Sequence, residues 1–411
     1  MNLFDVRGSA ASTLFLRAQA MGPREVIQRV ARRTSAVIAS RYDTAGLDFP
    51  LLPQDVADST RLSADRPARG ATGEGLRVAW LCTPPGPGSG GHTTLFRLIR
   101  GLEQRGHHCT VLLYDVHKGN LINHRNVIRT GWPALAADIE AVPEKLSGFD
   151  AYVASSWDTA HVLATRRDPE APSAAYYFIQ DFEPFFYPRG SLYALAEDSY
   201  RFGFTHLALG PMVAATLRRE VGVDAHVISF GSDQTSYSRV NDHNRSGVVF
   251  FARPLVDRRG YQLGRLALQE FHKLHPEQEI HIYGSRVSGW DIPITQHGTL
   301  SSRELNELYN QTISGLALSF TNVTLVASEM LAAGNLAVLN DHEFARSVLT
   351  NPEAVWASAT PSSLASALSA VVTDPQRTAR SRRAAKVSGK SWATSQGEVA
   401  SIMTEVSACS H

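Results

Sequence analysis

Residues 314–341 read SGLALSFTNVTLVASEMLAAGNLAVLND. The opening residues have the composition of a buried strand, and Thr321-Asn322 forms a polar turn. A helix carrying one glutamate, Glu329, follows; Gly334 stops it and a second apolar strand begins. A helix that starts directly after a strand aims its free backbone N–H groups at the strand's carboxyl end, which makes an anion site suited to phosphate. A carboxylate on the second turn of that helix suits sugar hydroxyls just beyond the phosphate. A strand–helix–strand unit of this kind belongs to a parallel α/β sheet.

The same rhythm extends on both sides. Short apolar strands are predicted at Leu76–Cys82, Cys109–Tyr114, Ala151–Ala154, Ala174–Ile179, His206–Leu209 and Val227–Ser229, with helical stretches between them. After a polar break at 233–246, a second series runs through Val248–Ala252, Glu279–Tyr283, Gly315–Ser319, Leu336–Leu339 and Ala354–Trp356. Helices are predicted at about 260–273, 301–311, 324–333 and 361–373, the second opened by the capping box Ser301-x-x-Glu304. The expected fold is α/β, with two doubly wound Rossmann-like domains facing across a cleft. Residues 1–75 form an N-terminal helical arm and linker, 76–240 the first domain and 241–388 the second. Residues 389–411 form a helical tail with a route back to the first domain open to it. Ligands of such sheets sit at the strands' carboxyl ends.

The 411 residues, 43% of them hydrophobic, suffice for two domains with real cores. A net charge of +1, with no basic stripe interleaved with aromatics, argues against nucleic acid as a partner. Three cysteines, Cys82, Cys109 and Cys409, show no metal or redox spacing and suit a reducing compartment. There is no apolar run of the ~20 residues a bilayer span needs, and no secretory leader pattern, so a cytoplasmic location is expected. Residues 24–41 make a basic amphipathic segment compatible with the inner face of a membrane, but Arg33 and Arg41 interrupt its apolar side. Packing against the protein or a second subunit is the preferred reading there, which leaves a homo-oligomer open.

Four constellations carry chemistry. The glycine-rich stretch Pro84–His92, with Gly90 and Gly91, lets a ligand or the facing domain approach the backbone. Arg253 ends the first strand of the second domain, and Arg258-Arg259-Gly260 opens the next helix. Guanidinium groups meeting there would neutralise a diphosphate and stabilise it as a leaving group. Glu329 lies on a helix whose neighbours Val326, Met330 and Ala333 mark burial, where an unpaired carboxylate is costly. Asp181 and Glu183, in FIQDFEP (178–184), could orient or deprotonate an acceptor hydroxyl, and packing under the domain interface is the alternative. No DxD triplet, P-loop or HExxH is present, so no metal and no resident cofactor is expected.

These residues resemble a known family. GGHTTLFRLIRGLEQRGHHCTVLL (90–113), FFARPLVDRRGYQLG (250–264), IYGS (282–285), HGTLSSRELNELY (297–309) and the 314–341 unit are similar, in order, to the motifs of glycosyltransferase family 4. The resemblance covers residues 76–340. It implies a GT-B fold, a nucleoside-diphosphate-sugar co-substrate, retention of anomeric configuration and no essential metal. More narrowly, 176–200 and 318–334 resemble bacterial rhamnosyltransferases of cell-surface glycan assembly, which implies dTDP-L-rhamnose as donor and a glycan or glycolipid as acceptor. By the same resemblance, Arg253 and Arg259 meet the donor diphosphate. The backbone of Val323, Thr324 and Leu325 meets the distal phosphate, and Glu329 the ribose. Gly90 and Gly91 lie under the diphosphate or sugar, Gly284 and Gly298 flank the base, and Arg258, Thr321 and Asn322 complete the donor set. Two departures stand out: Thr321 replaces the first glutamate of the family's Glu-x7-Glu pair, and Gln180 replaces a histidine. A sugar-nucleotide 2-epimerase and a catalytically idle binding subunit remain alternatives.

Overall fold

In the computed structural model the described residues are 34, 49–62 and 75–408, except 87, 169, 171, 172, 232–235, 324 and 388. The helical arm, the segment 24–41 (apart from Thr34) and Cys409 lie outside them. Two parallel sheets organise the rest. The first lobe runs β1 (Arg77–Cys82), α1 (Gly90–Glu103), β2 (His108–Leu113), α2 (Leu121–Gly131), β3 (Asp138–Ala141), β4 (Ala151–Ala154) and α3 (Trp157–Arg166). It continues with β5 (Ala174–Ile179), α4 (Ser191–Asp198), β6 (Thr205–Leu209), α5 (Pro211–Val221) and β7 (His226–Ile228). Its strand order is β3-β2-β1-β4-β5-β6-β7.

The second lobe runs β8 (Val248–Ala252), α6 (Tyr261–Leu274), β9 (Ile280–Gly284), β10 (Thr295–Gly298), α7 (Ser302–Gln311), β11 (Ser314–Leu316) and α8 (Leu325–Ala332). Then come β12 (Leu336–Asn340), α9 (Ala345–Val348), β13 (Val355–Ala357), α10 (Pro361–Thr373), α11 (Arg377–Lys386) and α12 (Trp392–Ala408). Its order is β10-β9-β8-β11-β12-β13. The chain reverses its winding direction between β1 and β4 in one sheet and between β8 and β11 in the other. The crevice at such a switch point is where open α/β sheets take ligands.

The central strands are buried on both faces, as in β5, all six of whose residues are buried, so they read as unbroken apolar runs. The edge strands β3 and β10 went unpredicted for the converse reason: DIEA and TQHG are largely exposed and carry no apolar signal. β11 is shorter than the predicted Gly315–Ser319. Beyond Ala317, whose N–H still bonds Val338 O, the ladder passes to a side chain of β12.

The tail returns to the first lobe. Val399, Ala400 and Met403 of α12 join the first lobe's core, and Gln396 Nε2 donates to Arg97 O at 2.8 Å. Val399 and Met403 are fully buried, each contributing about 1.5–3 kcal/mol by removal from water. Gly101 makes this contact feasible, since a Cβ there would lie 2.2 Å from Gln396 Cγ. At the other end, residues 55–62 strap the first lobe: Arg166 holds the buried Asp55 through two bonds of 2.7 Å, and Tyr114 Oη adds a third at 2.8 Å.

Candidate functional site: an arginine cluster at the switch point

Arg253 follows β8 directly, and a short 3₁₀ turn, Asp257–Arg259, places two more guanidinium groups beside it. Gly260 closes that turn with φ +63°, and a Cβ there would sit 3.0 Å from the Phe320 ring and 3.1 Å from Leu318 Cδ1. Left-handed backbone and a tight approach by 318–320 both demand glycine. Phe320 N–H then donates to Arg258 O at 2.9 Å, tying the arginine turn to the segment after β11. Arg259 Nη1 donates to Ser319 Oγ at 2.8 Å, and Ser319 Oγ donates to Asn322 O at 2.6 Å. Thus the arginines and the turn that leads to α8 share one crevice at the β8/β11 switch point. Burial lowers the Arg259 pKa, Asp181 opposes that, and Arg258 and Arg253 add to it, so two further cations lie within electrostatic reach of Arg259.

The first lobe closes on this cluster. Asp181, just after β5, accepts from Thr321 Oγ1 at 2.9 Å. Asn322 Nδ2 donates to Gln180 O at 3.0 Å and to Leu209 O at 3.3 Å. Arg258 stacks on the ring of Phe186, 4.0 Å from its centroid. Gln180 Nε2 reaches Gly91 O at 3.1 Å, bringing the glycine-rich loop to the same place, while the position of a Gly90 side chain is open space. Burial pushes the Asp181 carboxyl up, and Arg259, Thr321 and Arg258 pull it back. Thr321 and Asn322 are 4% and 5% exposed and are spent on the interlobe seam, and Asn322 Oδ1 is buried there without a partner. Beside them is a cavity of about 10 Å³, the room of roughly one water. The Thr321 position has a local cause, because a glutamate there would set a second carboxylate against Asp181.

The remaining predicted residues divide. Arg253 is exposed, with its guanidinium 5.8 Å from the Phe251 ring centroid. Gly284 ends β9 opposite Ala252, and Gly298 ends β10 opposite Tyr283, so both lie on the same rim as Arg253. Val323 is buried and Leu325 opens α8; Thr324 lies outside the described residues. Glu329 is half-buried, and its charge helps burial to raise the hydroxyls of Tyr283 and Tyr309, which bond each other at 2.6 Å.

Glu183 is not in this crevice. Its Oε2 accepts from Trp157 N at 2.5 Å and from Tyr177 Oη at 3.1 Å, which turns the carboxyl into the first lobe at the start of α3. Asp158 lies beside it, buried and held by Ser156 Oγ and by Thr159 N at 2.6 Å. Burial and then the Asp158 charge push Glu183 up to about 8.

Sequence reasoning passed over Ser319, Asn340 and Asp158. Asn340 carried a signal, a polar residue that ends the apolar run LAVL, and Asp158 is the second residue of the helix that follows β4. A wider recess of about 550 Å³ lies elsewhere, beyond β12 and β13, lined by Asp341, His342, Glu343, Phe344 and Arg346. Its charges answer one another, Arg346 with Asp341 and Glu343 with Arg219, so we place the site at the switch point. No group of three or more metal-ligating side chains occurs among the described residues, nor any helix long and apolar enough to cross a membrane.

Comparison with known proteins agrees with this architecture. The family described as WsaF, C-terminal domain, matches residues 246–369, and WsaF, N-terminal domain, matches residues 135–209. Over 272 residues the chain is 29% identical to the O-antigen biosynthesis protein RfbC of Myxococcus xanthus. That stretch is 63% of this chain and 21% of the relative, so the chain spans about a fifth of its length. Among solved structures, Alr3699/HepE of Anabaena, in complex with UDP and glucose, superposes with a TM-score of 0.62 at 14% identity over 80% of this chain and 99% of that one. WaaG, a glycosyltransferase involved in lipopolysaccharide biosynthesis, gives 0.54 at 13% identity over 80% and 99%. At these identities the likeness shows the fold, which is GT-B. Fold and site together define a protein of GT-B architecture with an arginine cluster at the switch point of its second sheet.

Proposed function

We propose that the chain transfers a sugar from a nucleoside-diphosphate donor onto a cell-surface glycan or glycolipid acceptor, with retention of configuration and without a metal. The sugar proposed is L-rhamnose from dTDP-L-rhamnose. One observation carries the reading: Arg258 and Arg259 are tied to the Ser319–Asn322 turn at the β8/β11 switch point, opposite Gly91 and Gln180, with Arg253 within electrostatic reach of Arg259. Support also comes from the RfbC relative and the WsaF matches. UDP and UDP-glucose in complexes of a neighbour of this fold agree with a nucleotide-sugar co-substrate.

In this reading the departing diphosphate meets preorganised guanidinium groups and the N-terminal end of α8, which are strongest where charge develops. Glu329, by Tyr283 and Tyr309, takes the ribose hydroxyls. The acceptor hydroxyl attacks on the face the diphosphate leaves, and its proton passes to a diphosphate oxygen, so no enzyme-bound sugar is needed. Asp181 serves as counter-charge to Arg259, whereas Glu183 acts inside the first lobe. Contact between the lobes excludes water from the donor.

The test is a mass-spectrometric transfer assay with dTDP-L-rhamnose and UDP- and GDP-sugars against lipid-linked and free saccharides, run with and without EDTA. Rhamnosyl transfer insensitive to EDTA, with the donor's anomeric configuration in the product, is expected. No transfer together with no binding of any nucleoside diphosphate refutes the reading, and donor epimerised without acceptor replaces it with the epimerase.

A further inference from the structure

We infer that Asn340 is a positioning residue for the diphosphate-binding arginine, acting through Ser319; this rests on the function proposed above. Asn340 ends β12 and is 3% exposed. Its Oδ1 accepts from Ser319 N at 2.9 Å, and its Nδ2 donates to Ser319 O at 2.7 Å. Both edges of the amide thus pair with one backbone residue of the neighbouring strand's continuation. The β11–β12 ladder has ended by then, Ala317 N–H to Val338 O being its last rung, so the side chain extends the pairing where the backbone turns away.

The consequence lies in what Ser319 does next. With its backbone held on both polar groups, its hydroxyl has a fixed place, accepting from Arg259 Nη1 and donating to Asn322 O. Arg259 is half-buried among two other guanidinium groups and left to itself would swing toward solvent and away from them. Asn340 therefore sets the Arg259 rotamer at a distance of one residue, and through Asn322 it sets the turn that reaches Gln180 O and Leu209 O of the first lobe. Only an amide serves this purpose. An aspartate offers no donor to Ser319 O and would place oxygen against oxygen.

The experiment measures the affinities of dTDP and UDP, and of thymidine and uridine, for the wild type, Asn340→Asp, Ser319→Ala and the double variant by calorimetric titration. The readout is the gain in affinity that the diphosphate adds to each nucleoside. Each single variant is expected to lose about tenfold or more of that gain, as for a displaced charge-assisted hydrogen bond, while nucleoside affinity holds. The double variant is expected to lose no more than the worse single one, since both act on one chain of contacts. A diphosphate gain equal to the wild type's in Asn340→Asp overturns the inference, as does an equal fall in nucleoside and diphosphate affinity, which is the mark of a merely structural role. Should Asn340→Asp not fold, Ser319→Ala and Asn340→Ala decide by the same criteria. A wild type that binds dTDP and UDP no better than the nucleosides refutes the proposed function itself, and the inference with it.

Discussion

Replacing Glu183 by glutamine isolates the buried acid pair of the first lobe. Burial first, and the neighbouring Asp158 second, raise Glu183 from an ordinary 4.5 to about 8, while Trp157 N–H and Tyr177 Oη partly offset this. A carboxyl raised on folding binds a proton that the unfolded chain has already released, so its contribution to stability is present at low pH and is lost as pH rises. The window runs from about 4.5, where the unfolded group ionises, to about 8, where the folded one does. With a slope that approaches about 1.36 kcal/mol per pH unit in mid-window and tapers at both ends, the wild type should lose about 3.5 kcal/mol between pH 5 and pH 8 through this group. Glutamine keeps an acceptor for Trp157 N–H and carries no charge, so Glu183→Gln removes that slope and leaves only the part due to Asp158, which burial also raises. Urea unfolding of both proteins at several pH values across the window measures the difference. The variant should match or fall below the wild type at acid pH and exceed it by about 2–3 kcal/mol at about pH 8. Stability curves that run parallel from acid to alkaline pH would show that Glu183 titrates as an ordinary surface carboxyl, and would refute the burial argument.

Arg259→Ala should lower kcat on the order of 10²-fold or more, and Arg253→Ala likewise, as for loss of a preorganised charge contact; near-normal turnover in either variant discredits the leaving-group role. Thr321→Glu should destabilise the protein by about 3 kcal/mol or more, because the new carboxylate would face Asp181 in a buried seam. Adding Asp181→Asn should restore most of the loss, and urea midpoints of the single and double variants check it; wild-type stability in Thr321→Glu alone would argue against the pairing. Gly101→Val should push α12 off α1 at a cost of about 1–3 kcal/mol, seen as faster proteolysis of the tail. An unchanged cleavage rate would mean that Gln396 yields without the helix moving.

The alternation of apolar strands with helices was legible because each central strand is buried on both faces, and burial leaves a continuous apolar run in the chain. The positions of Arg253, the Arg258-Arg259-Gly260 turn and the Thr321-Asn322 turn were legible too, since each lies in the loop beyond the carboxyl end of an apolar strand. The exposed edge strands β3 and β10, whose pairing needs no apolar face, left no such trace. Tertiary structure alone decided what the polar groups do. Asp181 and Thr321, 140 residues apart, meet only because two lobes close on one another. Glu183, two residues beyond Asp181, turns the opposite way, toward the α3 start supplied by Trp157. Asn340 reaches Ser319 only because β12 lies beside β11 in the sheet. Periodicity records which side of an element is buried, a property of neighbours in the chain. The partner of a hydrogen bond is a property of neighbours in space, and it exists only once remote segments have packed.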